Sequence, residues 1–287
     1  MIPQQFEWGE PIILRCRWYD GDGSAVIPDG TACTVTVTDG YGSALAAGSA
    51  VAAGSAVPGL FTYPLDPQDE VLTLAAVWAA EFGGEPRTKL SRAEVVGWHL
   101  FTVTQARAWD GAVLSDSAAY PAQTIADERA RIMEALSQRI GYPPVPRFGS
   151  ETVSGSGTDR LLLDAHRVTA VLSVTVDGSP LDKNAPADLV LDGRLLIRQS
   201  GATFPAGDRN VTVCYRQGPA WPLDDADRTG LYLLRDRLVP GDLSPRTLTQ
   251  TDEMGVVRFA TPGARWPFGL PIVDQWCAAH DERRWIA

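Results

Sequence analysis

The sequence predicts an all-β domain, then an α+β domain, then an extended C-terminal segment. Three patterns support this order. Residues 1–108 alternate apolar and polar side chains in short runs separated by turn signals, residues 124–140 repeat apolar side chains at helical spacing, and residues 160–216 alternate again. At 287 residues, the chain also exceeds the size of about 100–150 residues that is commonest for one domain. The stretch RFATPGARWPFGLPIVDQW, residues 258–276, follows neither period.

The composition excludes several classes of protein. Hydrophobic residues make up 45% of the chain, which is ordinary for a globular protein with a substantial core. The net charge of −10 argues against a protein that grips nucleic-acid phosphates, since such binding needs clustered Lys and Arg. There is no apolar run of about 20 residues and no leader-like N-terminus. We therefore expect a soluble protein that does not bind a membrane.

Short strands dominate the prediction for the first 108 residues. They are expected at 11–19, 32–38, 60–65, 71–81, 86–91 and 95–104, with GGEP as the hairpin turn before Arg87. The tandem AAGSAV repeat between the second and third strands has no large side chain to pack, so it predicts a flexible loop. Six or seven strands without a helix favour a β-sandwich of immunoglobulin type, although the Cys, Trp, Cys spacing of antibody domains is absent.

The second half of the chain combines helices with a small antiparallel sheet. The first helix is expected over 124–140, with Thr124 as its N-cap and Gly141 as its stop. The pairs Asp177-Gly178 and Asp192-Gly193 predict hairpins in the following sheet. A second helix is expected over 225–238, and a last turn or two over 271–285.

No group of residues predicts catalysis, a cofactor or a metal site. His99, His166 and His280 each stand alone, and the chain lacks a nucleophile elbow, a Walker loop and an HExxH motif. The four cysteines are scattered, which favours reduced thiols. A disulfide between Cys16 and Cys33 stays open as an alternative. We therefore expect that the protein is not an enzyme.

The aperiodic stretch near the C-terminus allows two interpretations. Its aromatic rings either fold back to complete the core of the small sheet, or they dock into clefts on a partner, where Trp, Phe and Arg are common anchors. The pattern of residues alone does not decide between them.

The order of motifs in residues 112–287 carries a resemblance to a known family. A helix that ends at GYPPVPR precedes LLLDAHRVTAVLSVTVDGSPL, LVLDGRLLIR and FPAGDRNVTVCYRQG, and a second helix and GLPIVDQW follow. This order resembles the head-to-tail connector (adaptor) proteins of long-tailed bacteriophages. The resemblance implies a virion protein, assembled in the host cytoplasm, that forms a ring of typically twelve copies beneath the portal and contacts the next neck or tail-completion protein. Genomic DNA would pass through the ring without sequence-specific binding.

The resemblance also implies roles for particular residues and segments. The predicted domains are an immunoglobulin-like sandwich at 1–108, a connector domain at 109–254 and a portal-docking tail at 255–287. The helix 124–140 would lie on the channel side, and we expect its charged residues there to be Asp127, Glu128, Arg131 and Glu134. The expected portal contacts are Arg258, Phe259, Arg265, Trp266, Phe268, Ile272 and Trp276.

The N-terminal sandwich departs from the smallest members of this family, which lack it. An alternative function is therefore a tail, baseplate or surface binding module whose sandwich recognises a host glycan. In that case the second domain would serve only to oligomerise the protein.

Overall fold

The structure is a computed structural model that describes residues 3–29, 33–52, 58–181, 187–239, 247–250, 257–259 and 267–282. The chain divides into two compact units. Unit 1 comprises Met1–Trp98, Pro146–Asp164 and Val168–Arg216, and unit 2 comprises His99–Val145, Ala165–Arg167 and Gln217–Ala287. Most of the described residues in regular structure are β-strands, and four α-helices accompany them.

Unit 1 begins with eight strands in two sheets. They are β1 (Gln4–Glu7), β2 (Ile12–Arg17), β3 (Cys33–Asp39), β4 (Ala44–Ser49), β5 (Val51–Ala52), β6 (Leu60–Leu65), β7 (Leu72–Phe82) and β8 (Glu85–Val96). The first sheet has the order β1-β8-β7-β3-β4, and the second has the order β2-β6-β5. Within the first sheet β1 pairs with β8 in parallel, whereas β8, β7, β3 and β4 pair antiparallel.

One hydrophobic core fills the space between these two sheets. The strict alternation of buried and exposed residues in β2 and β3 places every second side chain in it. Trp78 at the middle of β7 has no exposed surface, and its Nε1 donates a hydrogen bond to Ser91 Oγ at 2.8 Å. Because the ring is buried and its polar atom is paired, Trp78 contributes its full apolar area without an unsatisfied donor.

Three sequence predictions for this region were wrong. The alanine-rich repeat is not a loop throughout, because it forms β4 against β3 and β5 against β6. Small side chains do not prevent a strand from pairing at a sheet edge, where the backbone supplies the hydrogen bonds. The strands expected at 86–91 and 95–104 are a single strand, β8, which ends at Val96. Beyond it, Val103–Ala108 form helix α1, which the sequence did not predict.

A capping box explains helix α1. The backbone N–H of Gln105 donates to Thr102 Oγ1, and the backbone N–H of Thr102 donates to Gln105 Oε1. This reciprocal pair satisfies two N–H groups that a helix start otherwise leaves free. The Thr-x-x-Gln spacing was the signal for it in the sequence.

The remaining strands of unit 1 form two small sheets where the sequence predicted one. They are β9 (Arg147–Gly155), β10 (Arg160–Leu162), β11 (Val168–Val176), β12 (Ser179–Pro180), β13 (Leu189–Asp192), β14 (Leu195–Arg198) and β15 (Gly207–Gln217). One sheet has the order β12-β11-β15-β9 and the other has the order β10-β14-β13. Both predicted hairpins are confirmed, and Asp177 and Gly178 have the two positive φ angles of a type I′ turn.

Unit 2 contains the helices α2 (Ala122–Ile140), α3 (Ala226–Leu238) and α4 (Pro271–His280), along with α1. The predicted apolar stripe of α2 is confirmed, since Ile125, Ile132, Leu136 and Ile140 are all fully buried. Gly141 ends this helix in the left-handed conformation, as predicted. The predicted N-cap was wrong. The helix begins at Ala122 after Pro121, so Thr124 lies inside its first turn.

A buried Arg joins the segment after Trp98 to helix α2. Arg129 is 4% exposed, and its guanidinium donates to the carbonyl of Phe101 at 2.9 Å and lies 3.1 Å from His99 Nε2. Burial, and next the positive charge of Arg129, lower the pKa of His99 to about 3. The imidazole is therefore neutral at physiological pH.

The two units do not follow the predicted boundaries at 1–108, 109–254 and 255–287. The strands of 147–216 belong to the same compact unit as the N-terminal strands, and the helices belong to the other. Independent folding of the three predicted segments stays a prediction.

Strand β7 supplies a test of the core. Replacing Trp78 with Ala should lower the free energy of unfolding by about 3–5 kcal/mol, because the fully buried indole leaves a cavity. Chemical denaturation followed by circular dichroism measures this. The neighbouring Val77→Ala change, on the exposed side of the same strand, should cost less than about 1 kcal/mol. Equal losses for the two variants would contradict the assignment of faces.

His99 should make stability depend on pH. Its pKa in the folded state lies below the ordinary value of 6.5, so the unfolded chain takes up a proton first as pH falls. The stabilising contribution is complete above about pH 6.5 and is lost progressively toward pH 3. We expect a loss of roughly 1–2 kcal/mol between pH 7 and pH 5 that His99→Gln removes and the control His166→Gln retains. Unfolding curves at several pH values would show an unchanged slope in His99→Gln if this assignment were wrong.

Candidate partner interface

Helix α4 gives regular structure to the end of the aperiodic stretch. Pro271 occupies its first turn, where a backbone N–H has no partner within the helix, so the N–H that proline lacks is not lost from the helix. The carboxylate of Asp274 turns back and accepts a hydrogen bond from the backbone N–H of Phe268 at 3.1 Å. Asp274 is 4% exposed, and burial raises the pKa of its carboxyl group while the backbone N–H groups of 268–270 lower it. Local hydrogen bonds thus fix where this helix starts.

Two of the predicted portal contacts differ in their exposure on α4. Ile272 is 41% exposed, whereas Trp276 is only 8% exposed. The indole Nε1 of Trp276 donates to the carbonyl of Asp224 at 2.8 Å, and its ring stacks on His280 with 4.4 Å between centroids. Trp276 therefore fastens α4 to the segment before α3, because its only polar atom is already used inside the unit. Phe268 is half-buried just before the helix.

The other predicted contacts lie N-terminal to α4. Arg258 and Phe259 belong to strand β17 (Val257–Phe259), which pairs antiparallel with β16 (Thr247–Gln250). In this register Arg258 is opposite Thr249, and Phe259 is opposite Thr247. The sequence did not predict this strand pair. Arg265 and Trp266 lie outside the described residues.

A groove on the surface of unit 2 lies between α3 and α4 and was not predicted. It has a volume of about 200 Å³, and its lining residues are Asp225, Arg228, Thr229, Tyr232, Ile272, Gln275 and Trp276. The aromatic ring of Tyr232 is flanked by the guanidinium of Arg228 at 5.8 Å and by Trp109 at 5.4 Å. The groove combines apolar surface with hydrogen-bonding groups of both kinds, which suits a protein segment more than bare lipid or phosphate.

Trp221 is the most exposed large apolar residue described in unit 2. It is 80% exposed and belongs to GPAWPLDD, the segment that leads into α3. A surface Trp is costly to leave in water, and buried Trp side chains dominate many interfaces. The prolines around Trp221 could have identified it in the sequence as an exposed residue. They prevent regular structure there, so this Trp cannot belong to the apolar face of a helix or strand.

The predicted channel-side residues occupy two different environments on α2. Asp127, Arg131 and Glu134 are exposed and share one face of the helix, at spacings of four and three residues. Glu128 was wrongly placed with them. It is 7% exposed, and one carboxylate oxygen accepts from Arg237 of α3 at 2.6 Å while the other accepts from Arg131 at 2.9 Å. Successive residues of an α-helix point about 100° apart around the helix axis. Glu128 directly follows Asp127, so its side chain leaves the exposed face and reaches the contact between α2 and α3.

A second ion pair joins α2 to the end of α4. Arg139 donates to Asp281 at 2.9 Å, and Asp281 is 6% exposed. Both α3 and α4 are thus paired with α2 through a carboxylate that is largely removed from water and a guanidinium that is partly exposed.

The cysteines do not offer reactive thiols. Cys16, Cys33, Cys214 and Cys277 are all free and buried, so the alternative of a Cys16–Cys33 disulfide is not realised. Burial raises the pKa of both Cys16 and Cys277 to about 12. Their thiols therefore stay protonated at neutral pH.

Similarity to known proteins is slight. No protein-family model and no curated protein matches the chain. Among solved structures, it is similar to the Kfla1895 D451A mutant, with 13% identity, a TM-score of 0.20 and coverage of 77% of this chain and 29% of that chain. The same mutant in complex with cyclobis-(1->6)-alpha-nigerosyl gives 12% identity, a TM-score of 0.21 and coverage of 77% and 30%. The chain spans less than a third of those proteins, and TM-scores at this level do not establish a shared fold.

Among the described residues, no helix has both the length and the apolar character to cross a membrane.

The Glu128 ion pairs can be tested against an exposed carboxylate on the same helix. Glu128→Gln should lower the free energy of unfolding by about 1–3 kcal/mol, a value reduced by the partial exposure of both Arg partners. Glu134→Gln should change it by less than about 0.5 kcal/mol. Thermal and chemical unfolding of the two variants measure the difference. A Glu128→Gln protein as stable as Glu134→Gln would show that the buried pair does not hold α3 to α2.

Proposed function

We propose that the protein is a non-catalytic structural component of a phage neck. In this role it forms a ring beneath the portal, extends the DNA channel and joins the capsid to the tail. The observation that carries the proposal is the order of elements over 122–280, which is helix, antiparallel strands, helix, strand pair and helix. The helix, the antiparallel strands and the second helix follow the order that the resemblance to head-to-tail connectors implies, whereas the strand pair and the last helix stand where the resemblance implies an extended tail.

We also propose that residues 4–96 form a sandwich of immunoglobulin type. Its support is the strand order, since β3, β7 and β8 take the places of strands C, F and G, and β2, β6 and β5 take those of B, E and D. Strand β4 then occupies the C′ position, which variable-type domains add next to C. Such a domain would be an added module beside the connector part.

The surface of α4 around Ile272 is the part of the predicted tail that best suits a partner. Ile272 is exposed and lines the α3–α4 groove, together with the buried Trp276. A portal segment that fills this groove would bury Ile272 and the face of Tyr232 together. Binding energy at such sites is concentrated in a few apolar and aromatic anchors surrounded by polar groups.

The exposed face of α2 suits a conduit that does not retain DNA. It presents Asp127 and Glu134 with Arg131 between them. Two carboxylates against one guanidinium leave this face with negative charge, which repels phosphate. Glu128 cannot contribute to the channel surface, because it lies in the contact between α2 and α3.

Portal binding can be tested with a point substitution. Removing residues 258–287 would also remove Val273 and Cys277 from the core of unit 2, so a truncated protein could fail for lack of folding. Ile272→Asp changes only an exposed position. This substitution should weaken binding to the portal protein encoded in the same genome by at least about tenfold, because the complex would bury the new carboxylate in an apolar contact. Sedimentation of mixtures and electron microscopy of portal particles measure added rings.

Leu162→Asp is the matched control, since Leu162 is 62% exposed and lies on β10 in unit 1. Circular dichroism should show that both variants are folded. The proposal fails if the unmodified protein does not add to portal particles. Normal ring addition by Ile272→Asp would instead remove this face of α4 from the contact.

A further inference from the structure

The outer face of the five-stranded sheet in unit 1 has an uncharged centre. Two rows of side chains cross strands β3, β7 and β8 there, and the pairing register aligns Thr36, Val77 and Leu90 in one row and Thr34, Ala79 and Thr88 in the next. Val77 is 45% exposed and Leu90 is 43% exposed. This centre carries no charged side chain, although the chain has a net charge of −10.

Two threonines of this face, Thr34 in the uncharged centre and Thr38 in the row next to it, direct their hydroxyl groups to the sheet itself. The hydroxyl of Thr34 donates to the carbonyl of Ala79 at 3.5 Å, and the hydroxyl of Thr38 donates to the carbonyl of Ala75 at 3.4 Å. Hydroxyl groups that bond to their own sheet leave the methyl groups as the surface that a partner meets. Desolvating this patch therefore costs less than desolvating free hydroxyl groups.

Opposite charges bound the uncharged rows at their two ends. Along β7 the outward residues are Ala75, Val77, Ala79 and Glu81, and Arg92 of β8 is paired with Ala75. Both Arg92 and Glu81 are exposed. The four rows thus run from the exposed guanidinium of Arg92 at one end to the exposed carboxylate of Glu81 at the other, with the two uncharged rows between them.

This arrangement is complementary to itself under a two-fold rotation. An axis that runs across the strands, midway between the rows of Val77 and Ala79, turns the patch end for end. The row of Arg92 then meets the row of Glu81 in the second copy, and the row of Val77 meets the row of Ala79. A rotation axis along the strands would instead place each charged row opposite its own row.

We propose that two copies of this chain associate through the outer face of the five-stranded sheet, with strand β7 of one antiparallel to β7 of the other. Three strands about 4.8 Å apart and six residues of about 3.3 Å give a patch of roughly 300 Å² per copy. Stable interfaces bury about 800 Å² per partner, so the association is weak and seen at high protein concentration. An isologous contact of this kind differs from the head-to-tail contacts that close a ring.

Charge reversal at the two ends gives a decisive experiment on the full chain. Sedimentation velocity over a concentration series, up to millimolar protein, should show reversible dimers of the unmodified protein. Arg92→Glu places two negative rows opposite each other, and Glu81→Arg places two positive rows opposite each other. Each variant alone should dimerise at least about tenfold more weakly.

An equimolar mixture of the two variants should recover the dimer, because each charged row then meets one of opposite sign. This recovery cannot arise from damage to the fold. Arg15→Glu is the control, since Arg15 is exposed on β2 in the other sheet, and it should leave dimerisation unchanged. Absence of a dimer in the unmodified protein, or a mixture that associates no better than either variant alone, would overturn the proposal. Neither result depends on portal binding, which the Ile272 variant tests separately.

Discussion

The two-residue period of strand β7 is the constraint on which unit 1 depends. It is an eleven-residue strand that pairs with β3 on one side and β8 on the other, so its register fixes the register of both neighbours. Because Trp78 must point into the core, Val77 and Ala79 must point out of it. The buried core and the uncharged outer patch are therefore two results of one choice of register. A shift by a single residue would expose the indole and bury Glu81 together.

Unit 2 depends in a similar way on helix α2, but through charge as well as apolar contact. Its isoleucines fill the core, while Glu128 and Arg139 reach α3 and the end of α4. Charged groups in such contacts require a partner at one position and in one orientation, which apolar packing does not. This requirement fixes how α3 and α4 are placed on α2. Ile272 and the rim of the groove are positioned as a consequence.

The sequence predicted those features that arise from local pattern. The stripe of α2, its stop at Gly141 and both Asp-Gly hairpins needed only periodicity and turn chemistry. Strands β4 and β5 were missed because their alanines and serines show no apolar alternation, and only the neighbouring strands provide their hydrogen bonds. The buried state of Glu128 depends on Arg237, which is more than one hundred residues away. The sequence did not decide whether Trp276 lies in the core or at an interface, again because its partner is distant in the chain. That partner is the backbone carbonyl of Asp224, which no pattern of side chains reveals.

The burial of all four cysteines has a further consequence. Their thiols are shielded from solvent reagents, and the pKa values of Cys16 and Cys277 keep those two protonated at neutral pH. A single cysteine introduced on the surface would therefore be the main site of reaction for a maleimide dye or spin label, without removal of any native residue. Distances between labelled copies could then be measured inside an assembled particle as well as in solution. Because all four native thiols are buried, a thiol reagent would report only on the introduced position.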